Sequence, residues 1–153
     1  GDLLIQKNTT IAVAESCTGG LISHLFTNVA GSSDFFLFSG VTYSNKSKIK
    51  VLGVSPSTLE EYGAVHEETA KEMAKGAQRI SGATYGLSTT GIAGPDGGTE
   101  SKPVGTVCIG LTTPDTAFAH RFQFSSFNRL MNKKIFAMTA LDLLRRELLN
   151  LSN

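Results

Sequence analysis

A short apolar run that ends abruptly in a glycine-containing turn does most to limit the folds open to this chain. Thr10-Ile11-Ala12-Val13-Ala14 is bounded by polar residues and fits a buried strand. It breaks at Glu15-Ser16-Cys17-Thr18-Gly19-Gly20, after which Leu21, Leu25 and Val29 repeat at helical spacing. Strand, glycine turn and helix make half of a βαβ unit. Leu3 to Asn8 reads as the last turns of a helix. Phe35 to Tyr43, aromatic and β-branched, predicts a second strand. A short helix runs to Leu52, a second opens at Ser55-Pro56-Ser57 and closes at Gly63, and a longer one covers His66 to Ile80 with Glu67 and Glu68 in its first turn. Further strands are predicted at Tyr85 to Thr90, Val104 to Leu111 and Ala117 to Phe124. The last two are joined by Thr113-Pro114-Asp115-Thr116, short enough for an antiparallel hairpin. A final helix over about Phe127 to Leu149 places Ala137, Leu141, Leu144 and Leu148 on one face. Alternating strands and helices argue an α/β three-layer sandwich with a largely parallel sheet.

Composition removes whole classes of function. A length of 153 residues is a soft prior for one domain, so residues 1–153 are expected to form a single unit. The opening residue is Gly rather than Met, which suits either a domain excised from a longer chain or a stand-alone protein with more N-terminal helix. The net charge of +1 gives no global pull toward nucleic acid or an anionic membrane. No apolar run approaches the ~18–20 residues of a membrane span. Cys17 and Cys108 form no disulfide framework, and no Cys or His spacing suits a metal, so neither metal nor cofactor is expected. A reducing, cytoplasmic setting is the default.

In open α/β sheets ligands bind beyond the carboxyl ends of the strands. Three motifs fall there: Glu15 to Gly20, Tyr43-Ser44-Asn45-Lys46-Ser47-Lys48, and Thr89-Thr90-Gly91-Ile92-Ala93-Gly94-Pro95-Asp96-Gly97-Gly98. In the first, Ser16 or Cys17 is a candidate nucleophile at a turn whose amides can hold an anion; an N-cap serine beside a buried cysteine is the plainer alternative. In the second, a desolvated Lys48 near Tyr43 can act as a base, or both can be solvated. The third is neither a Walker loop nor GxGxxG; it reads as a backbone nest for an anion or as a surface loop. His24 is read as structural, His66 as a helix cap and His120 as solvent-facing. Arg129, with Lys133 and Lys134, has the spacing to meet a phosphate, although a solvated face is the favoured reading of the two lysines.

With these motifs in place the chain resembles the CinA C-terminal domain and the stand-alone PncC nicotinamide-nucleotide amidohydrolases. The matching segments are AVAESCTGG (12–20), AGSSDFF (30–36), GVTYSNKSK (40–48), LGV (52–54), YGAVHEETAKEMAKGA (62–77) and LSTTGIAGPDGGTESKPVGTV (87–107), with Arg129 in the last helix. His66 stands where the family more often has Ser, and Ser126-Phe127-Asn128-Arg129 replaces a Gly-Asp-Arg run. The resemblance implies an α/β/α sandwich with a mixed, mostly parallel five-stranded sheet. It also implies hydrolysis of nicotinamide mononucleotide to nicotinic acid mononucleotide and ammonia, a step in pyridine-nucleotide recycling. Carried over residue by residue, Ser16 attacks the carboxamide, Lys48 takes its proton, Tyr43 relays or orients that proton, and Thr90 with nearby amides holds the oxyanion. Thr18, Gly19, Gly20, Asn45, Gly91, Gly94 and Arg129 are expected to bind the substrate, the glycine amides and Arg129 meeting its ribose-phosphate. The expected partner is this small molecule, with no nucleic acid and no membrane; a homodimer is compatible with the resemblance. Two other readings are a thiol amidase using Cys17 and a non-catalytic nucleotide-binding or interaction domain of a competence- or damage-inducible protein.

Overall fold

β1 (Ile11–Glu15) is buried along its whole length because it has a strand on either side and a helical layer over each face. The computed structural model describes residues 1–125 and 128–151. One five-stranded sheet has the order β2-β1-β3-β4-β5, with β2 (Phe36–Val41), β3 (Tyr85–Gly91), β4 (Thr106–Thr112) and β5 (Ala117–Gln123). β1 pairs in parallel with β2 and β3, whereas β4 is antiparallel to both β3 and β5. Four strands therefore point one way and only β4 runs against them, as in the expected mixed, mostly parallel α/β/α sandwich. The hairpin between β4 and β5 is closed by the Thr113 amide donating to the Thr116 carbonyl at 2.8 Å.

The helices are α1 (Asp2–Gln6), α2 (Leu21–Thr27), α3 (Asn45–Leu52), α4 (Pro56–Tyr62), α5 (Glu67–Ser81) and α6 (Arg129–Leu148). Strand periodicity separates the two faces of the sheet. Ile11, Val13, Leu87, Val107, Ile109 and Leu111 meet Leu4 of α1, Ile22 and Phe26 of α2, and Phe136, Ala137, Ala140 and Leu144 of α6. Each large apolar side chain fully buried there contributes about 1.5–3 kcal/mol. The opposite face is lined by small residues, so that α5 can lie almost on the strand backbones. A Cβ at Gly86 would collide with the carbonyl of Ala74, and one at Gly110 with that of Ala70. Ser88 Oγ uses the same closeness to donate to the Ala70 carbonyl at 2.5 Å.

Several boundaries differ from the sequence reading. α2 ends at Thr27 with Asn28 as its cap, not at Val29. β2 ends at Val41 because Ser44 already caps α3, accepting from the Ser47 amide. β4 starts at Thr106 because residues 103–106 form a turn in which the Thr106 amide donates to the Pro103 carbonyl. A 3-10 turn at Ser32–Asp34 precedes β2, where the sequence predicts no helical element. α6 begins at Arg129; Ser126 and Phe127, where the expected helix start and part of the Gly-Asp-Arg replacement fall, lie outside the described residues. Among the described residues no helix is long and apolar enough to cross a membrane.

The strand directions bring the chemistry together. The carboxyl ends of β1, β2 and β3 share one edge of the sheet with the chain leaving β5 toward α6. Residues 16–20, 42–48 and 91–98 and the first turns of α6 therefore converge.

Candidate active site

Ser16 follows β1 directly, and its amide donates to the Thr89 carbonyl at 3.0 Å, extending the sheet by one residue before the chain turns. Lys48 comes from the first turn of α3 and is 1% exposed. Its Nζ lies 3.1 Å from Ser16 Oγ, 2.9 Å from the Thr42 carbonyl and 3.3 Å from the Tyr43 carbonyl. No carboxylate pairs with it among the described residues. Burial lowers the pKa of Lys48 below the ordinary lysine value, because desolvation disfavours the ammonium. A neutral amine has two N–H donors and one lone pair. Around Nζ, a neutral amine would give its two N–H groups to the carbonyls and its lone pair to the Ser16 hydroxyl, whereas an ammonium would donate to all three oxygens.

Cys17 is the other candidate nucleophile. Its thiol is buried and its pKa is pushed up to about 12, chiefly by desolvation and, to a smaller extent, by the Glu15 carboxylate. A thiol in that state stays protonated at neutral pH and is a poor nucleophile.

Glu15 is fully buried. Its carboxylate accepts from Thr18 Oγ1 at 2.6 Å and Ser23 Oγ at 2.6 Å, and from the amides of Gly20, Ile22 and Ser23 at 3.0, 3.2 and 2.9 Å. Because Thr18 spends its proton on Glu15, Thr89 Oγ1, 2.8 Å away, donates to Thr18. This corrects the expectation that the Gly19 and Gly20 amides receive a phosphate: an internal carboxylate occupies the positive end of α2. The Gly20 amide points to Glu15, and the Gly19 amide to the Ser16 carbonyl at 3.1 Å. A carboxylate at a strand end just before a helix is the signal by which Glu15 could have been read from sequence.

Two further roles change. Tyr43 is 60% exposed and its phenol accepts from Arg129 Nη2 at 2.9 Å, so only its backbone carbonyl touches Lys48. The expected phenolic relay between Ser16 and Lys48 is thus not in place. Thr90 Oγ1 donates to the Ala64 carbonyl at 2.7 Å, which uses the one proton it could have offered to an oxyanion. The amides of Cys17 and Thr18, by contrast, make no hydrogen bond to another described residue.

Arg129 closes one side of the site. Its Nη1 donates to the Gly94 carbonyl at 2.7 Å while Nη2 reaches Tyr43. Asn132, one turn on, donates from Nδ2 to the Ala93 carbonyl at 3.0 Å, so α6 holds the glycine-rich loop at two points. A cleft of about 460 Å³ opens between these parts, lined by Cys17, Tyr43, Gly91, Gly94, Asp96 and Arg129 among others. Asn45 opens α3 but is exposed and lies outside that lining.

The histidines fall as follows. His66 Nδ1 accepts from the Glu68 amide at 3.1 Å, the cap that its position before α5 predicts and the service a serine hydroxyl would perform there. His24 is exposed, contrary to the structural reading, with Nε2 3.2 Å from Asn28 Nδ2. His120 is half-buried rather than solvent-facing, edge-on to Phe118 and Phe122. No group of His, Cys, Asp or Glu among the described residues is arranged to hold a metal ion.

Fold and site together define an α/β/α domain with a buried serine–lysine pair at the carboxyl edge of its sheet. Residues 1–148 match the CinA C-terminal domain, and the chain belongs to that family. It is 62% identical over 149 residues to a CinA-like protein of Desulfosudis oleivorans and 59% identical over 149 residues to one of Desulforapulum autotrophicum. Each match covers 97% of this chain but only 36% and 35% of those relatives, so the chain spans about a third of their length. Among solved structures it is similar to the competence/damage inducible protein CihA of Agrobacterium tumefaciens, with a TM-score of 0.89, 38% identity and coverage of 92% and 86% of the two chains. It is also similar to a competence-damaged protein (CinA) superfamily protein of Klebsiella pneumoniae, with a TM-score of 0.93, 29% identity and coverage of 97% and 92%.

Proposed function

We propose that the chain hydrolyses the carboxamide of nicotinamide mononucleotide, releasing ammonia and leaving nicotinic acid mononucleotide. The observation that carries this reading is Lys48. A lysine buried without a counter-charge costs stability unless it is neutral, and in its neutral form Lys48 turns its lone pair to the hydroxyl of Ser16, whose Oγ lies 3.1 Å from Nζ. That is the geometry of an activated nucleophile.

Lys48 takes the Ser16 proton as Oγ bonds to the carboxamide carbon, and the carbonyl oxygen becomes an oxyanion. The amides of Cys17 and Thr18, unpaired with other described residues, are its donors in place of Thr90. The oxyanion collapses, the C–N bond breaks, and Lys48 passes its proton to the departing nitrogen, which leaves as ammonia. Water then attacks the ester carbon and gives a proton to Lys48, the ester C–O bond breaks, and Ser16 recovers its proton. Ser16 and Lys48 are the catalytic residues. Tyr43 positions Arg129 and, through its carbonyl, the Lys48 amine.

The cleft suits the ring end of the substrate. Asp96 and the exposed face of Tyr43 complement a cationic pyridinium, while Gly91 and Gly94 keep its wall low. The test is ammonia release from nicotinamide mononucleotide by the 153-residue chain, with nicotinic acid mononucleotide formed in equal amount. Binding of the mononucleotide with no ammonia over hours would instead make this a nucleotide-binding domain.

A further inference from the structure

A second hollow, of about 700 Å³, is lined by Gly19, Gly20, His24, Leu130, Lys133 and Lys134 among others. Neither lysine has a hydrogen-bond or ion-pair partner among the described residues, and no carboxylate lines the hollow. Lys133 is nevertheless half-buried, laid across the turn: a Cβ at Gly19 would stand 3.3 Å from its Nζ. Gly19 has φ +61°, so the left-handed turn and the bare backbone under the ammonium both favour glycine. Half-burying an ammonium without an anion costs free energy, which an incoming anion would recover.

We propose that this hollow is the phosphomonoester subsite for the nucleotide proposed above. The proposal rests on that reading for the identity of the substrate, but the subsite can be tested apart from it. Four observations agree. The positive end of α2 is taken by Glu15 and the Gly19 and Gly20 amides are already paired, so a phosphate in the hollow must be met chiefly by side chains. The cleft carries Asp96 beside Arg129, whereas the hollow holds Lys133 and Lys134 with no carboxylate, so the hollow offers a dianion the larger excess of positive charge. The Gly19 amide donates to the Ser16 carbonyl, closing a turn that keeps the two Cα atoms within about 7 Å. Arg129 and Lys133, four residues apart on α6, lie on one face and run from the cleft to the hollow.

The experiment has two arms. In the binding arm, ribose 5-phosphate and inorganic phosphate are titrated separately into the 15N-labelled chain while the Gly19 and Gly20 amides are followed. Ribose 5-phosphate should shift both amides, and the response should weaken at least tenfold in Lys133→Gln and again in Lys134→Glu. Shifts confined to Gly91 and Gly94, or an undiminished response in both variants, would overturn the assignment. Inorganic phosphate acting at concentrations no higher than the sugar phosphate would overturn it too, by showing a site for the free anion. In the kinetic arm, Lys133→Gln should lower kcat/KM for the mononucleotide relative to its riboside at least tenfold; an unchanged ratio in an active enzyme overturns the subsite. A wild-type chain that binds ribose 5-phosphate at Gly19 but releases no ammonia would keep the subsite and remove the amidase reading.

Discussion

Lys48 Nζ stands 3.1 Å from Ser16 Oγ and donates to the carbonyls of Thr42 and Tyr43, with no carboxylate in reach among the described residues. Burial lowers its pKa, and in the proposed mechanism the neutral form is the working base. The sign is therefore fixed: kcat/KM should rise with pH along a single basic limb whose midpoint lies below the ~10.4 of a free lysine. Lys48→Arg should be nearly inactive, because a guanidinium does not deprotonate at working pH. Exposed Lys46→Ala should be mild beside it. Near-normal turnover in Lys48→Arg would reduce Lys48 to an electrostatic anchor.

The same burial has a stability consequence. Because the folded pKa of Lys48 is lowered, the unfolded chain binds more protons between that value and the ordinary one, so stability rises with pH through this window. Lys48→Met lacks the titration. Denaturant unfolding from about pH 6 to about pH 8.5, below the ordinary thiol range, should therefore show wild type gaining stability relative to Lys48→Met. A constant difference across that range would mean that Lys48 folds as an ammonium.

Ser16→Ala should abolish ammonia release while Cys17→Ala keeps most of it. The Cys17 thiol, with a pKa of about 12, supplies almost no thiolate at neutral pH. Ammonia assays on both variants, with circular dichroism to confirm folding, decide between the adjacent residues. An inactive Cys17→Ala beside an active Ser16→Ala would reverse the assignment.

Arg129 joins the glycine-rich loop to Tyr43 and lines the cleft beside them. Arg129→Ala should raise KM for the mononucleotide more than it lowers kcat, the pattern of lost uniform binding. Tyr43→Phe removes the phenol from Arg129 and leaves the carbonyl on Lys48, so it should reproduce part of the KM effect and leave the basic limb of the pH profile in place. A shifted limb in Tyr43→Phe would restore the phenol to the proton path.

Glu15→Gln replaces one carboxylate oxygen by an NH2 group that must face donors from Gly20, Ile22 and Thr18 or from Ser23. The loss should be about 1–3 kcal/mol of stability, the usual cost of leaving buried polar groups unpaired. Chemical denaturation measures it directly, and a neutral substitution would show that the helix end does not depend on this charge.

What was legible in the sequence was the part governed by local rules. The run Ile11 to Ala14, its glycine turn, the hairpin at Thr113–Thr116 and the cap at His66 follow from periodicity, turn chemistry and capping, and β-strand direction then gathers Ser16, Lys48 and the 91–98 loop. Side-chain partners set by distant segments were not legible. Tyr43 meets Arg129 across 86 residues, and Thr90 reaches back 26 residues to Ala64. Nothing in either local motif tells a phenol or a hydroxyl which way to turn. Glu15 is hard to read for the opposite reason: its partners are local, but the glycines after it look like an empty anion nest until the carboxylate is placed inside.

The central claim, that Ser16 is acylated with Lys48 as its base, is tested most directly by acid-quenching the enzyme during turnover of nicotinamide mononucleotide and fragmenting the peptide that holds both Ser16 and Cys17. An acyl adduct of the substrate should be found on Ser16 in the wild type and be lost in Ser16→Ala. An adduct on Cys17, or steady ammonia release from Ser16→Ala, would contradict the account.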